Sequence, residues 1–417
     1  MNMYGWDTAF VVSLAHVNRA LAQNTAQLIQ DFSAQIESSE VRCTFGTWSL
    51  VADRTGKLVT LRIAIKSGYV RISPTAEAID LAHHAIELAI SLQLLPAPDG
   101  ADGTHLVINY QDLENLDAAQ NGAVSPHRVY LADGSRMSRF QEAVLGGLVS
   151  KGMARQAGKI SFVFARVNPG AVAGVPWLTP VSSDYHLVQE IGESAPVLTI
   201  FSMVTARSSP SYQPNVDPGL LSGSGDAGCA ISGQLFLQHM VGPTLASHFG
   251  ANPNIVTMEA DGSVSLNGEF YLQSVPTTWY TFYPKVYRVT AAVQDTRITI
   301  TCSGGCDMLL GASMNFTHTA MVTVGIDPET KTLRFTLEGT PVIDQEKHVP
   351  WYASVVSSAY ENLCKALAVC VDWDIDMVLG NDFLRQAPSL VTWTGGTGFS
   401  PTDATLADAF VVRGKLD

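Results

Sequence analysis

Three short stretches of the chain carry residue types that could do chemistry. Gly223-Ser224-Gly225-Asp226-Ala227-Gly228 fits the GxGxxG pattern, whose backbone amides at the start of a helix cradle a dinucleotide pyrophosphate. The setting argues against that use: Pro214 and Pro218 precede it where a strand is needed, and Asp226 would set a carboxylate against the phosphates. A glycine-rich hinge is the better reading. Asp372-Trp373-Asp374-Ile375-Asp376 opens like a calcium loop, but Met377 stands where the loop turns on glycine and Phe383 where it needs a bidentate glutamate. Cys302 and Cys306 flank Ser303-Gly304-Gly305, yet a structural zinc takes four ligands and no second Cys/His pair has matching spacing. His83 and His84, if on one strand, point to opposite faces. His239 and His248 have no Asp or Cys companion nearby, and GxSxG, HExxH and Walker A patterns do not occur. The residues by themselves name no catalytic group, metal or cofactor, although catalytic groups can converge from distant positions.

The 417 residues are 46% apolar and only 15% charged, against roughly 25% charged in an average soluble domain. Such a chain folds, and many of its polar faces must be Ser, Thr, Asn and Gln. A net charge of −13 argues against nucleic acid as a partner. The six cysteines are too sparse for a disulfide scaffold and read as thiols in a reducing compartment. The opening Met-Asn-Met-Tyr-Gly-Trp-Asp has no basic n-region, so the expected location is cytoplasmic, or outside the cell by a route without a Sec signal peptide. Residues 227–258 and 308–326 are long and uncharged enough to resemble membrane spans. Pro243, Gln234 and His239 interrupt the first, and the second alternates as a half-buried strand does.

Stepping along the chain, Leu14, Val17, Leu21, Leu28, Phe32 and Ile36 recur at helical spacing and predict one long amphipathic helix over 13–36. Val59, Leu61, Ile63 and Ile65 alternate with polar residues as a strand does, and Ile86 to Leu94 keep strict period two. Residues 139–156 predict a second helix with Phe140, Val144, Leu148 and Met153 on its apolar face; strands follow at 160–167 and 197–205. Pro210, Pro214, Pro218 and four glycines make 208–228 a connection between two modules, 1–207 and 229–417. The second module predicts a helix at 231–249, strands at 264–272, 285–293, 297–302, 314–326 and 333–337, a helix at 351–371, and a last strand near Leu390. The turn at 327–331 makes part of the sheet antiparallel. Each module thus reads helix, strands, helix, strand.

Charge is uneven: residues 1–210 are net −3 and 211–417 net −10. Arg42, Arg54, Lys57, Arg62, Lys66 and Arg71 share their segment with Asp53 alone, and Arg62 and Lys66 lie opposite the apolar face of their strand. Those two are the candidates for anionic head groups; a merely solvated surface is the alternative.

Tyr4-Gly5-Trp6-Asp7, followed by Phe10 and a helix carrying Val17-Asn18, resembles the start of the forty-seven-kilodalton non-toxic proteins of OrfX-type botulinum neurotoxin gene clusters, and the length and the ending around Trp393, Ala409 and Phe410 agree. The resemblance implies an α+β, elongated tubular lipid-binding (TULIP) fold, with long helices lying in strongly curved antiparallel sheets. It further implies a non-catalytic toxin accessory whose partners are OrfX-type proteins or toxin components. Such a fold suits the patterns above. A groove left open between helix and sheet would take lipid or another hydrophobic molecule, each buried methylene adding roughly 0.8 kcal/mol, and the protein could touch anionic membranes peripherally. Leu21, Leu28, Phe32, Ile36, Val144 and Leu148 are the residues expected to face that groove. Filled by side chains, the same groove is core, and the protein is a scaffold.

Overall fold

The computed structural model describes residues 2–53, 55–98, 103–109, 125–130, 137–168, 175–189, 195–207, 217–221, 225–276, 280–348, 384 and 387–417. Strands predominate because alternating β-branched and aromatic residues do. Two compact units form, one from Tyr4–Cys229, Gln386–Ser400 and Arg413–Asp417, the other from Met1–Met3, Ala230–Arg385 and Pro401–Val412.

In the first unit β1 (Thr8–Ser13) runs into α1 (Leu14–Gln23), with Ser13 Oγ accepting from His16 N at 3.2 Å as the helix cap. The long helix expected over 13–36 stops here. Asn24 leaves helical geometry at φ −106° and ψ 38°, its Nδ2 donates back to Ala20 O at 2.8 Å, and a 3₁₀ turn follows at Thr25–Gln27. Phe32 and Ile36 then lie on β2 (Asp31–Ile36), a strand paired to β3 (Ser39–Val51). The residues at 28, 32 and 36 fit period four and period two alike, and pairing with β3 chose the second. Next come β4 (Leu58–Arg71), β5 (Ile79–Asp80), β6 (Ala85–Pro96), β7 (Thr104–Ile108) and β8 (Ser125–Tyr130). After α2 (Arg139–Arg155) come β9 (Ala165–Val167), β10 (Ser182–Val188), β11 (Val197–Met203) and the first half of β12 (Ala227–Ser232), whose residues from Ala230 on belong to the second unit.

The second unit carries a helix over 233–248, whose middle turn, Leu237–Val241, widens to π geometry just before Pro243, a residue with no N–H to donate. Its strands are β13 (Val256–Met258), β14 (Val264–Tyr271), β15 (Val275–Pro276), β16 (Thr281–Phe282), β17 (Lys285–Gln294), β18 (Arg297–Asp307), β19 (Ser313–Ile326), β20 (Leu333–Leu337) and β21 (Val342–His348). The chain ends with β22 (Val391–Trp393), β23 (Phe399–Leu406) and β24 (Ala409–Leu416), so the strand near Leu390 is not the last. The helix expected at 351–371 and the aspartates of 372–376 lie outside the described residues.

A nine-stranded sheet in the first unit has the order β2-β3-β4-β6-β7-β9-β22, with β5 on β4 and β8 on β6. Its ladders are antiparallel throughout. A six-stranded sheet has the order β10-β11-β1-β12-β24-β23. In the second unit the order is β13-β14-β17-β18-β19-β20, with β21 also on β19. The inward residues of β3, β4 and β6, among them Phe45, Trp48, Leu61, Ile63, Ile86 and Leu88, are fully buried. The described residues form mostly antiparallel sheet with few helices, α1 having 10 residues and α2 17.

α2 buries Leu148 and Met153 as expected, but its first turns present a different face to the sheet. Its buried residues include Leu145, Leu148, Val149 and Met153, while Phe140 is 66% exposed and Val144 half-buried. Ser138 and Gln141 form a reciprocal capping box that fixes its start.

Candidate functional site: the space under α2 and the outer sheet face

α2 packs across β2 and β3, and small residues let it come close. A Cβ on Gly152 would stand 2.5 Å from Phe32 Cζ and 2.6 Å from Ala34 Cβ, so helix backbone rests on the strand. Beneath it the Phe32 ring stacks on Phe45 with centroids 5.0 Å apart, and Phe45 meets the edge of Trp48 at 5.9 Å. Phe32, Leu28 and Leu148 are buried; Ile36 and Val144 are half-buried at the margin. Leu21 is buried on α1, which attaches to β3 instead, Asn18 donating to Leu50 O at 3.0 Å and accepting from Leu50 N at 2.7 Å. The expected lining residues are therefore not one set. Phe32 lies under α2, Leu21 belongs to another packing surface, and side chains fill the space where Gly152 meets Phe32. One polar atom interrupts this apolar cluster: Trp48 Nε1 is buried with no acceptor among the described residues.

The opposite face of the sheet is polar. Arg62 on β4 stands directly across from Glu87 on β6, and its Nε and a terminal nitrogen donate to Glu87 Oε1 at 2.8 and 2.5 Å. Glu87 is almost wholly buried, so Arg62 is engaged by an internal carboxylate as well as exposed to solvent. Lys66 is exposed on the same face. Further along, Glu40 accepts from Arg71 at 2.9 Å and from Tyr69 at 3.2 Å, and Arg42 lies 3.7 Å from it. Where β4 bulges against β3, Gly68 adopts φ +139°, and a side chain there would run into Arg42 O. Next to the bulge a shallow cavity of about 410 Å³ is lined by Asp31, Ser33, Arg42, Thr44, Ser67 and Tyr69 together with Phe32, Cys43 and Gly68. The strand alternation signalled the polar face; neither Glu87 nor the bulge was legible, since both depend on pairing across strands.

Elsewhere, burial disarms the groups that might react. It pushes the thiols of Cys43, Cys229 and Cys302 up to about 12. Burial also drives His186 down to about 4, with Asp184 and Lys57 acting in opposite directions. His83 and His84 sit in a turn between β5 and β6, with His84 buried and His83 exposed, and not on a strand. Of the GxGxxG stretch, Ala227 and Gly228 begin strand β12 and no helix; Gly223 and Ser224 lie outside the described residues. No group of three metal-ligating side chains forms among the described residues.

The Tyr4–Asp7 opening has a structural role. Tyr4 and Gly5 turn the chain at φ 49° and 90°, and Trp6 stacks on Phe201 at 5.4 Å. The fully buried Asp7 accepts from Val204 N at 3.0 Å, Thr205 N at 2.8 Å and Thr205 Oγ1 at 2.6 Å, and pairs with Arg207.

Residues 3–315 match the OrfX-like family described as Protein OrfX2/OrfX3/P47. The chain is 25% identical over 244 residues to Protein P47 of Clostridium botulinum (strain Kyoto / Type A2), a match covering 58% of this chain and 56% of the relative, little more than half its length. The structure of P47 from Clostridium botulinum A2 superposes with a TM-score of 0.83 at 20% identity, covering 100% of this chain and 98% of that one. For P47 of Clostridium botulinum E1 the score is 0.82 at 18% identity, with 100% of both chains covered. At these identities the structures establish a shared fold.

Proposed function

The chain belongs to the OrfX-like family of toxin-cluster proteins, and from that premise we propose that it is a non-catalytic accessory protein acting through its surfaces, a scaffold that assembles with OrfX-type partners or toxin components. The observation that carries this reading is the closed approach of α2 to β2, where Gly152 leaves no room above Phe32. An interior filled there leaves the exterior to do the binding. Size-exclusion chromatography of the purified chain mixed with OrfX-type proteins and with toxin tests it. A shared, earlier-eluting peak supports assembly, and independent elution with each of them refutes it.

A second reading makes the protein a carrier of lipid or another hydrophobic ligand, its two units being related tubular lipid-binding modules that can meet anionic membranes. Trp48 favours it: a buried indole N–H without an acceptor among the described residues suits a ligand oxygen better than closed core. Native mass spectrometry separates the readings, since co-purifying lipid supports the carrier and bare mass the scaffold. On this reading Lys66 and Arg62 would meet head groups.

A further inference from the structure

Where β14 breaks register in the second unit, an asparagine precedes a glycine. β14 pairs with β17 as far as Asn267 opposite Arg288, and the ladder resumes with Phe270 opposite Val286, so Gly268 and Glu269 together face Tyr287. On the other side of β14, among the described residues, β13 pairs only with 264–266. Asn267, Gly268 and Glu269 are all exposed. The dipeptide therefore sits in a bulge on one side and beyond the end of the neighbouring strand on the other, released from the geometry of a regular strand. Packing itself requires the glycine, because a Cβ there would stand 2.9 Å from Cζ of the buried Phe270 ring.

The Asn267 side chain belongs to a chain of polar groups. Its Nδ2 donates to Ser265 Oγ at 3.3 Å, Ser265 Oγ donates to Glu259 at 2.5 Å, and Arg288 donates to the same carboxylate at 3.3 Å. An amide can fill the first place in this chain because it has hydrogens to give; a carboxylate has none. The amide carbon is an electrophile one residue from the Gly268 backbone nitrogen. Glycine has no Cβ to obstruct that nitrogen and reaches backbone conformations closed to other residues.

We propose that Asn267 is a self-modification site, converted to aspartate or isoaspartate in the folded protein. The Gly268 nitrogen bonds to Asn267 Cγ and gives up its proton, the Cγ–Nδ2 bond breaks, and Nδ2 leaves with that proton as ammonia. Water then opens the resulting five-membered imide at either carbonyl. The product sets a second carboxylate beside Glu259, where it competes for Arg288 and for the Ser265 hydroxyl. In the isoaspartate form it also lengthens the backbone by one methylene where strand pairing has already lapsed. The proposal is independent of the scaffold and carrier readings.

The full chain is incubated in warm, mildly alkaline buffer, with and without urea, and its peptides are mapped by mass spectrometry, with isoaspartyl methyltransferase as the probe for isoaspartate. Folded protein should convert Asn267 within about tenfold of the rate in urea. Asn315 is the internal control: it is also exposed, but it lies in unbroken register between β18 and β21 and precedes Phe316. It should convert at least about tenfold more slowly than Asn267. Circular dichroism confirms that the chain without urea stays folded throughout. Conversion of Asn267 in urea alone, with the folded chain unchanged, overturns the proposal. Equal rates at Asn267 and Asn315 in the folded chain overturn it as well.

Discussion

Two glycines on one helix provide a direct measure of whether the interior is closed. Gly147 and Gly152 both lie within α2, where alanine is favoured over glycine by about 0.8–1.0 kcal/mol per residue. At Gly147 nothing lies within 4 Å of an added Cβ, so Gly147→Ala is expected to stabilise the protein by about that amount. At Gly152 the same methyl would stand 2.5 Å from Phe32 Cζ and 2.6 Å from Ala34 Cβ. The Phe32 ring can tilt only by disturbing its stack on Phe45, and Ala34 Cβ moves only with the strand. Overpacking of this kind costs about 1–3 kcal/mol, which cancels or outweighs the propensity gain and leaves Gly152→Ala between neutral and about 2 kcal/mol destabilised. The two substitutions should therefore differ by about 1–3 kcal/mol, with Gly147→Ala the more stable. Urea unfolding of the full chain followed by circular dichroism reads this difference, and adding Phe32→Leu to Gly152→Ala should reduce it. Equal stabilisation by both alanines would refute the packing of α2 on β2. It would also remove the support for the scaffold reading, because a groove that accepts a methyl freely is open.

Further expectations concern buried charge. His186 is held neutral by burial, with its pKa lowered to about 4, so its contribution is complete above the ordinary value near 6.5 and declines as pH falls from there toward 4. Urea midpoints measured between pH 7 and pH 4 should drop, with a loss of order 3 kcal/mol from this residue, and His186→Gln should flatten the decline. Asp7→Ala removes the acceptor of the 204–205 backbone and the partner of Arg207, costing about 3 kcal/mol, and limited proteolysis should find new cleavage near 204–207. Arg62→Ala leaves Glu87 buried without its cation and is expected to cost about 1–3 kcal/mol by thermal melting. Lys66→Glu should leave stability within about 0.5 kcal/mol and lower flotation with acidic vesicles; unchanged flotation in a protein shown to bind such vesicles would count against the head-group role.

The sequence by itself determined the elements whose hydrophobic period is unambiguous. Strict alternation at 86–94 and 314–326 could only be strand, and β6 and β19 lie there. The low charged fraction and high apolar fraction pointed to a folded chain, and the Tyr4–Asp7 opening pointed to the family. Tertiary structure decided the rest. Leu28, Phe32 and Ile36 satisfy two periods at once, and it took the ladder with β3 to make the last two strand residues. On α2 the stripe through Phe140 and the stripe through Leu145 are both apolar, and contact with β2, made possible by Gly152, selected the second. Arg62 looked like a free surface cation because its partner, Glu87, is 25 residues away in sequence and adjacent only through β4–β6 pairing. A local pattern specifies which side of an element is oily. Whether the space beneath that side is filled depends on atoms that other segments bring, and those positions are fixed only when the sheets close.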